Sequence, residues 1–272
     1  MAWMLTTAKQ RERQFRRPFD EMPRPAGYSL QQRSTVIMEK FTEDLMLCIV
    51  GGFSAWGIWL TDRNLIWVAA IFGLVICSVF ALRAKGRIIN YSNHRLGLLG
   101  EQLVGQILDR ICSDTVRVFH DLEVIEPGKK PWNIDHVVLT SAGVFAIETK
   151  TRRKPKGVRS NGQAGHKVVF DGQQLLFPAP MQADRFGLAQ TQKNATWLAE
   201  KLTALNGCPI TVNPVLTLPG WWVDVKGKGP VAVFNPKGLV GFLNGRASIF
   251  SEKQFRAINA QLEERCQIDL TR

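Results

Sequence analysis

Two charge-free apolar runs stand back to back near the start of the chain. Leu45 to Leu60 (LMLCIVGGFSAWGIWL) is interrupted by Thr61-Asp62-Arg63-Asn64, and Leu65 to Leu82 (LIWVAAIFGLVICSVFAL) is again uncharged. Each run approaches the roughly 20 residues that an α-helix needs to cross the hydrocarbon core of a bilayer. Only a tight polar turn separates them, so they are expected to form two antiparallel helices, about 43–60 and 65–82, within a membrane hairpin over 41–83. Trp56, Trp59 and Trp67 flank the turn as an interfacial aromatic belt does. About forty polar residues precede the first run and a second run follows at once, which argues against a cleavable signal peptide. The same pattern also suits a buried hairpin of a soluble protein, but the flanking charge favours a membrane. Lys9, Arg11, Arg13, Arg16, Arg17, Arg24, Arg33 and Lys40 precede it, and Arg83, Lys85 and Arg87 follow. The rule that cationic flanks stay inside puts both termini in the cytoplasm.

Lys and Arg number 35 against 23 Asp and Glu, a formal charge of +12 in 272 residues. Such an excess points to a polyanionic partner, nucleic acid or an anionic lipid face. The cysteines at 48, 77, 112, 208 and 266 stand singly, without zinc-ligand spacing, and read as reduced thiols. The apolar runs contain no ionisable residue of the kind a conduction path uses, so a transporter has little support.

Residues 1–40 mix basic residues with Pro18, Pro23 and Pro25, show no sustained apolar period, and read as a flexible cytoplasmic arm. Residues 88–272 read as one mixed domain, with a core over 96–205 and further strands and a helix over 206–272. Leu99, Leu103, Ile107 and Ile111 recur at helical spacing from Leu96 to about Arg110, with Glu101 off that stripe. Strands are predicted over Val116–Leu122, Ile134–Thr140 and Val144–Lys150. VVFDGQQLLF predicts a hairpin turning at Asp171-Gly172. A helix is expected over Ala183–Leu205, strands over Thr211–Leu218 and Val231–Phe234, and a last helix opened by the Ser251–Gln254 capping box and running to about Cys266.

Within the segment NIDHVVLTSAGVFAIETK, strand alternation sets Glu148 and Lys150 on one face. A hairpin turning at Ser141–Gly143 brings Asp135 to the end that carries Glu148. A four-residue connection pairs them directly, whereas a three-residue one needs a bulge or a diagonal approach. Neighbouring carboxylates raise each other's proton affinity unless a cation sits between them. Mg²⁺ (or Mn²⁺) is such a cation, typically held by one or two carboxylates, waters and phosphate oxygens. By spacing alone the pattern equally suits a buried Asp–Lys–Glu salt-bridge cluster. Arg152, Arg153, Lys154, Lys156 and Arg159 follow directly in TRRKPKGVR and are expected to meet phosphates. His136 turns to the opposite face from Asp135 and reads as a hydrogen-bonded structural histidine. Trp132, Trp221 and Trp222 read as packing residues before base-stacking ones.

The combination of GLLGEQLVGQIL, IDHVV and GVFAIETK resembles the NERD (nuclease-related) domain of the PD-(D/E)xK nuclease superfamily, over about residues 96–205. The resemblance implies an α/β (α+β) fold, a restriction-endonuclease-like mixed sheet flanked by helices, here preceded by the two-helix transmembrane hairpin. It also implies a Mg²⁺-dependent phosphodiesterase site. Glu101 matches the helix acid, Asp135 the metal-binding aspartate, Glu148 and Lys150 the E-x-K pair, and Gln182, in PAPMQ, the later glutamine at the start of the next helix. Ile134 stands where the superfamily's name places proline. The expectation is a nuclease tethered in a bacterial inner membrane. Its partners would be nucleic acid, DNA before RNA, the lipid bilayer, and a second copy or another member of a membrane complex. The alternative is a non-catalytic, membrane-tethered DNA-binding or assembly module that keeps the nuclease fold.

Overall fold

The protein is described by a computed structural model over residues 21–155, 166–244 and 247–269. Strand β1 (Glu21–Pro23) leads into helix α1 (Tyr28–Thr61), and one turn of 3₁₀ helix at Arg63–Leu65 reverses the chain into helix α2 (Ile66–Asp109). Asp62 caps the reversal by accepting from the Asn64 N–H at 2.8 Å. Both helices are long and apolar enough to cross a membrane, and the windows that make them so are almost wholly exposed. In water that exposure would be strongly unfavourable, at about 25 cal/mol for each Å² of apolar surface.

The arm expected over residues 1–40 is corrected where it is described, since α1 starts at Tyr28 and residues 1–20 lie outside the described residues. The helical period was hidden by its polar members. Leu30, Ser34, Ile37, Phe41, Asp44, Cys48 and Gly51 recur every three or four residues and form the face turned towards α2. Asp44 is tolerated there because Arg87 and Arg83 reach its carboxylate at 2.8 and 3.6 Å.

The separate helix expected from Leu96 is instead the end of α2, which runs unbroken from the apolar hairpin into the domain. Its buried face is also corrected: Gly100, Glu101, Val104, Gly105 and Leu108 turn inward, while Leu99 and Leu103 stay exposed.

A five-stranded sheet follows in the order β2-β3-β4-β7-β9, with β2 Val116–Val124, β3 Trp132–Thr140, β4 Gly143–Thr149, β7 Val212–Thr217 and β9 Ala232–Phe234. The first three strands are antiparallel, while β4–β7 and β7–β9 are parallel. Every residue of β4 is buried, as a central strand with both faces covered requires. On one face Val137, Leu139, Val144 and Ala146 pack against helices α3 (Phe186–Asn206) and α5 (Glu252–Arg265) through Trp197, Leu198 and Leu262. On the other, Val138, Phe145 and Ile147 meet Val104 and Leu108 of α2 and Leu239 of α4 (Pro236–Asn244). Helix α4 was not foreseen. The expected Ser251–Gln254 capping box opens α5.

A three-stranded sheet is built from β5 (Lys167–Phe170), β6 (Leu175–Leu176) and β8 (Trp222–Val225), in the order β6-β5-β8. Residues 171–174 join β5 to β6 as a four-residue loop rather than the two-residue turn expected at Asp171-Gly172. The reason is that Phe170 pairs with Leu175 and the Asp171 carboxylate caps the N–H groups of Gln173 and Gln174.

Strand β1 pairs antiparallel with β10 (Gln267–Asp269), so the segment before the hairpin is built into the domain. Arg24 donates to Glu123 at 2.7 Å, and Asp121 accepts from the backbone N–H of Ser29 at 3.2 Å and its hydroxyl at 2.6 Å. Asp121 thereby caps α1 from a neighbouring strand. It holds a left-handed backbone, φ 51°, between the ladder pairs His120–His136 and Leu122–Ile134. Gly27, before the helix, has φ 77°, and a Cβ there would strike Leu98 of α2 at 2.4 Å. The domain expected over 88–272 therefore also includes residues 21–29.

Candidate active site

The turn between β3 and β4 has two residues, Ser141 and Ala142, because Thr140 pairs with Gly143. Counting back along this register, His136 pairs with Ile147, and one step further Asp135 stands across from Glu148 without a bulge. The pairing left open between two loop lengths is thus the direct one. Asp135 also accepts the Thr149 backbone N–H at 2.7 Å, which fixes its carboxylate at the end of the hairpin.

Beyond β4 the ladder continues one residue, with the Lys150 N–H donating to the Thr217 carbonyl at 3.0 Å. This holds Lys150 on the Glu148 side, as alternation requires, and its ammonium donates to Glu148 Oε1 at 2.6 Å. A second bond from the same ammonium reaches Gln190 Oε1 at 2.9 Å. The other Glu148 oxygen accepts from Asn194 Nδ2 at 2.9 Å, and Asn194 Oδ1 accepts from Trp132 Nε1 at 3.0 Å. Gln190 and Asn194 lie one turn apart on α3 and grip the two members of the E-x-K pair from above. Neither was singled out in the sequence; the available signal is their four-residue spacing on a helix whose buried positions include Gly187, Leu188, Thr191 and Trp197.

Glu101 arrives from the opposite layer, on α2. Gly100 beside it makes the approach possible, since a Cβ there would lie 1.8 Å from the hydroxyl of Thr151. Glu101 is buried, and its Oε2 has no hydrogen-bond partner among the described residues. Gln182 does not join the group: it is exposed in the loop four residues before α3 begins, because the chain first bridges Asp184 to Leu175. Arg152 is paired with Asp184, and Arg153 donates to Asn93 at 2.8 Å and Ser92 at 2.8 Å on α2. Lys154 is exposed, while Lys156 and Arg159 lie outside the described residues.

The electrostatics follow from burying acids together. Burial pushes the Asp135 carboxyl well above the usual range, and the charges of Glu148 and Glu101 push it further. Glu101 is pushed up to about 8, by burial first and then by Asp121 and Glu148. Burial also raises Glu148, against the pull of Lys150. Burial alone would weaken the Lys150 ammonium, but Glu148 and Asp135 outweigh it and hold its proton more tightly than usual.

Across the sheet, His136 Nδ1 lies 2.9 Å from His120 Nδ1, and His120 Nε2 lies 2.9 Å from Asp109. Burial, then His120, lowers the proton affinity of His136, consistent with a neutral structural histidine outside the acidic group. Trp221 is buried and donates to the Arg152 carbonyl, whereas Trp222 is exposed.

Among the described residues, no three His, Cys, Asp or Glu side chains converge as a ready ligand group. The donor set nevertheless suits Mg²⁺, which takes one or two carboxylates and keeps waters. Asp135 and Glu148 supply the oxygens, and Glu101 Oε2 is a further buried carboxyl oxygen with no partner among the described residues.

Residues 96–219 match the sequence model of the nuclease-related domain. The chain carries a NERD domain. The match starts on α2 just before Glu101 and ends just past β7, so Asp135, Glu148, Lys150, Gln190 and Asn194 all fall inside it. NERD domains belong to the PD-(D/E)xK superfamily, and the mixed sheet with flanking helices agrees with that placement. Nucleic acid is accordingly the class of substrate or partner that the NERD domain implies. Comparisons with curated proteins and with solved structures found no match.

Proposed function

We propose that this NERD protein is a membrane-anchored, Mg²⁺-dependent nuclease that hydrolyses DNA phosphodiester bonds at the cytoplasmic face of a bacterial inner membrane. The observation that carries the reading is the Lys150 ammonium held between Glu148 and Gln190 and within the electrostatic reach of the buried acids Asp135 and Glu101. Asp135 and Glu148, with the Thr149 carbonyl, would hold the metal ion, which when bound supplies a Lewis acid for the phosphate and lowers the pKa of water. Lys150 would orient the attacking water and offset the negative charge that grows on the phosphoryl oxygens. Asn194 and Gln190 keep the Glu148 carboxylate and the Lys150 ammonium from collapsing into other pairings. Glu101, which holds its proton up to about pH 8 in the metal-free protein, would give it up as a cation binds and add its charge then, and the exposed Lys154 is free to meet the substrate backbone. The apolar hairpin and its cationic flanks support insertion with both ends on the same side.

A non-catalytic module that keeps the fold is the second reading, favoured by the Glu148 carboxylate, whose two oxygens are already taken by Lys150 and Asn194. Full-length protein in lipid nanodiscs separates the two. It is incubated with linear, circular and single-stranded DNA at low salt, with Mg²⁺ or chelator. Cleavage that disappears with chelator, Asp135→Ala or Lys150→Ala is the expected result. Binding without cleavage, indifferent to all three, overturns the nuclease.

A further inference from the structure

Outside the acidic site, the most regular unexplained feature is on the outer side of α2. Val68, Val75, Leu82, Ile89, Leu96 and Leu103 are apolar at every seventh position for the whole length of the helix. All but the half-buried Leu96 are exposed. Up to Leu82 such residues have lipid as a sufficient partner. Beyond Arg83, Lys85 and Arg87 they do not, and yet Ile89 remains 50% and Leu103 46% exposed. Apart from Val75, which borders a groove shared with Leu47 and Cys48, they lie away from the α1 contact, which α2 makes through residues such as Ile76 against Gly51 and Phe80 against Phe41.

A strict seven-residue period is not that of a straight helix. It drifts about 20° per heptad and is kept in line only by winding around a similar helix. We propose that a second copy of this chain covers the stripe, so that two α2 helices run parallel as a left-handed pair from the bilayer to the nuclease-like domain. This rests on the membrane reading above, which also supplies the reason for a like partner. Two copies inserted with the same topology present the same stripe at the same depth and in the same direction, so the encounter is already confined and aligned. Symmetry then makes the contact isologous, each residue of the series meeting its own counterpart near the two-fold axis.

The intervening positions explain why the contact needs the membrane. Ser78, Lys85, Ser92 and Gln106 occupy places where a self-sufficient zipper would carry leucine, Ser92 is already engaged by Arg153 of the same chain, and only Ile71 and Leu99 add apolar contact there. Gly86 has open space around its Cα and permits close approach just outside the hydrocarbon. The pairing also leaves the site open. Glu101 lies two residues from Leu103, about 200° around the helix at 3.6 residues per turn.

The test uses full-length protein in native membranes, with the five native cysteines replaced by alanine and single cysteines introduced one at a time from position 88 to 103. Oxidative cross-linking is expected to peak at Ile89→Cys, Leu96→Cys and Leu103→Cys and to be several-fold weaker at Tyr91→Cys and Leu98→Cys. In parallel, labelled protein in bilayers should bleach in two steps, and the Ile89→Glu/Leu103→Glu variant in one. An inserted protein that bleaches in one step, or cross-links without the seven-residue period, overturns the pairing. Release of the protein by alkaline carbonate instead overturns the membrane reading, so the two failures are distinct.

Discussion

At the scale of single residues, the site is a problem of excess negative charge that one lysine only partly relieves. Asn194 donates to Glu148, and Gln190 accepts from Lys150. A hydrogen bond to a charged group is worth about 1.5–3 kcal/mol, so losing either one is expected to slow DNA cleavage roughly 10- to 100-fold. Asn194→Ala and Gln190→Ala measured for kcat and KM check this, and unchanged kinetics in both would show that the E-x-K pair holds itself. Glu101 gives a pH prediction. Its carboxyl rises from 4.5 to about 8 on folding, so the folded state is the proton-richer one between those values. Stability is therefore fully present below about 4.5 and is lost as pH climbs towards 8. The metal-free protein should melt at lower temperature at pH 8 than at pH 6, Mg²⁺ should restore more at pH 8, and Glu101→Gln should flatten the trend. A melting temperature that rises with pH in the metal-free protein would contradict the burial of Glu101. Asp135, Glu148 and Lys150 were legible as neighbours because strand alternation fixes their faces, whereas Glu101, on a helix, stood out only through the family resemblance. Gln190 and Asn194 were not, because a polar residue on the buried side of a helix looks like one on its solvent side until the partner strand is known.

Among elements, the strands of the central sheet were the most legible, since their apolar runs are bounded by turns and need no partner to be recognised. The helices were misjudged where polar residues take inward positions. Ser34 and Asp44 masked the period of α1, and the exposed Leu99 and Leu103 imitated the buried face of α2, whose inward positions at Gly100 and Glu101 are a glycine and an acid. Pairing of β1 with β10 joins segments some 240 residues apart and left no local mark. This yields a prediction about boundaries. Asp121 caps α1, so Asp121→Ala removes bonds to Ser29 and Asn133 and introduces a residue ill suited to φ 51°. The expected cost is about 1–3 kcal/mol by denaturant unfolding, with Asp121→Asn milder because asparagine tolerates that backbone. A fragment starting at residue 88 loses the same contacts and should be less stable than one in which residues 21–33 are linked back to it; equal stability would make the docking incidental.

For the whole molecule, the +12 charge predicts that DNA affinity falls linearly on a logarithmic salt scale. Lys150→Ala and Asp135→Ala are expected to leave that slope nearly unchanged while removing cleavage, and filter binding across a salt series measures it. A slope that collapses in the Lys150 variant would place most of the binding energy at the site itself. The unbroken run of α2 has a different kind of consequence. Arg83, at the edge of the apolar run, and Glu101 are eighteen residues apart on one helix, about 27 Å at 1.5 Å per residue. If the hairpin is inserted as proposed, the acid rides at a set height above the lipid. Polymer far from the bilayer would then be out of its reach, and only strands that come to the membrane, by entry, attachment or accident, would pass the site.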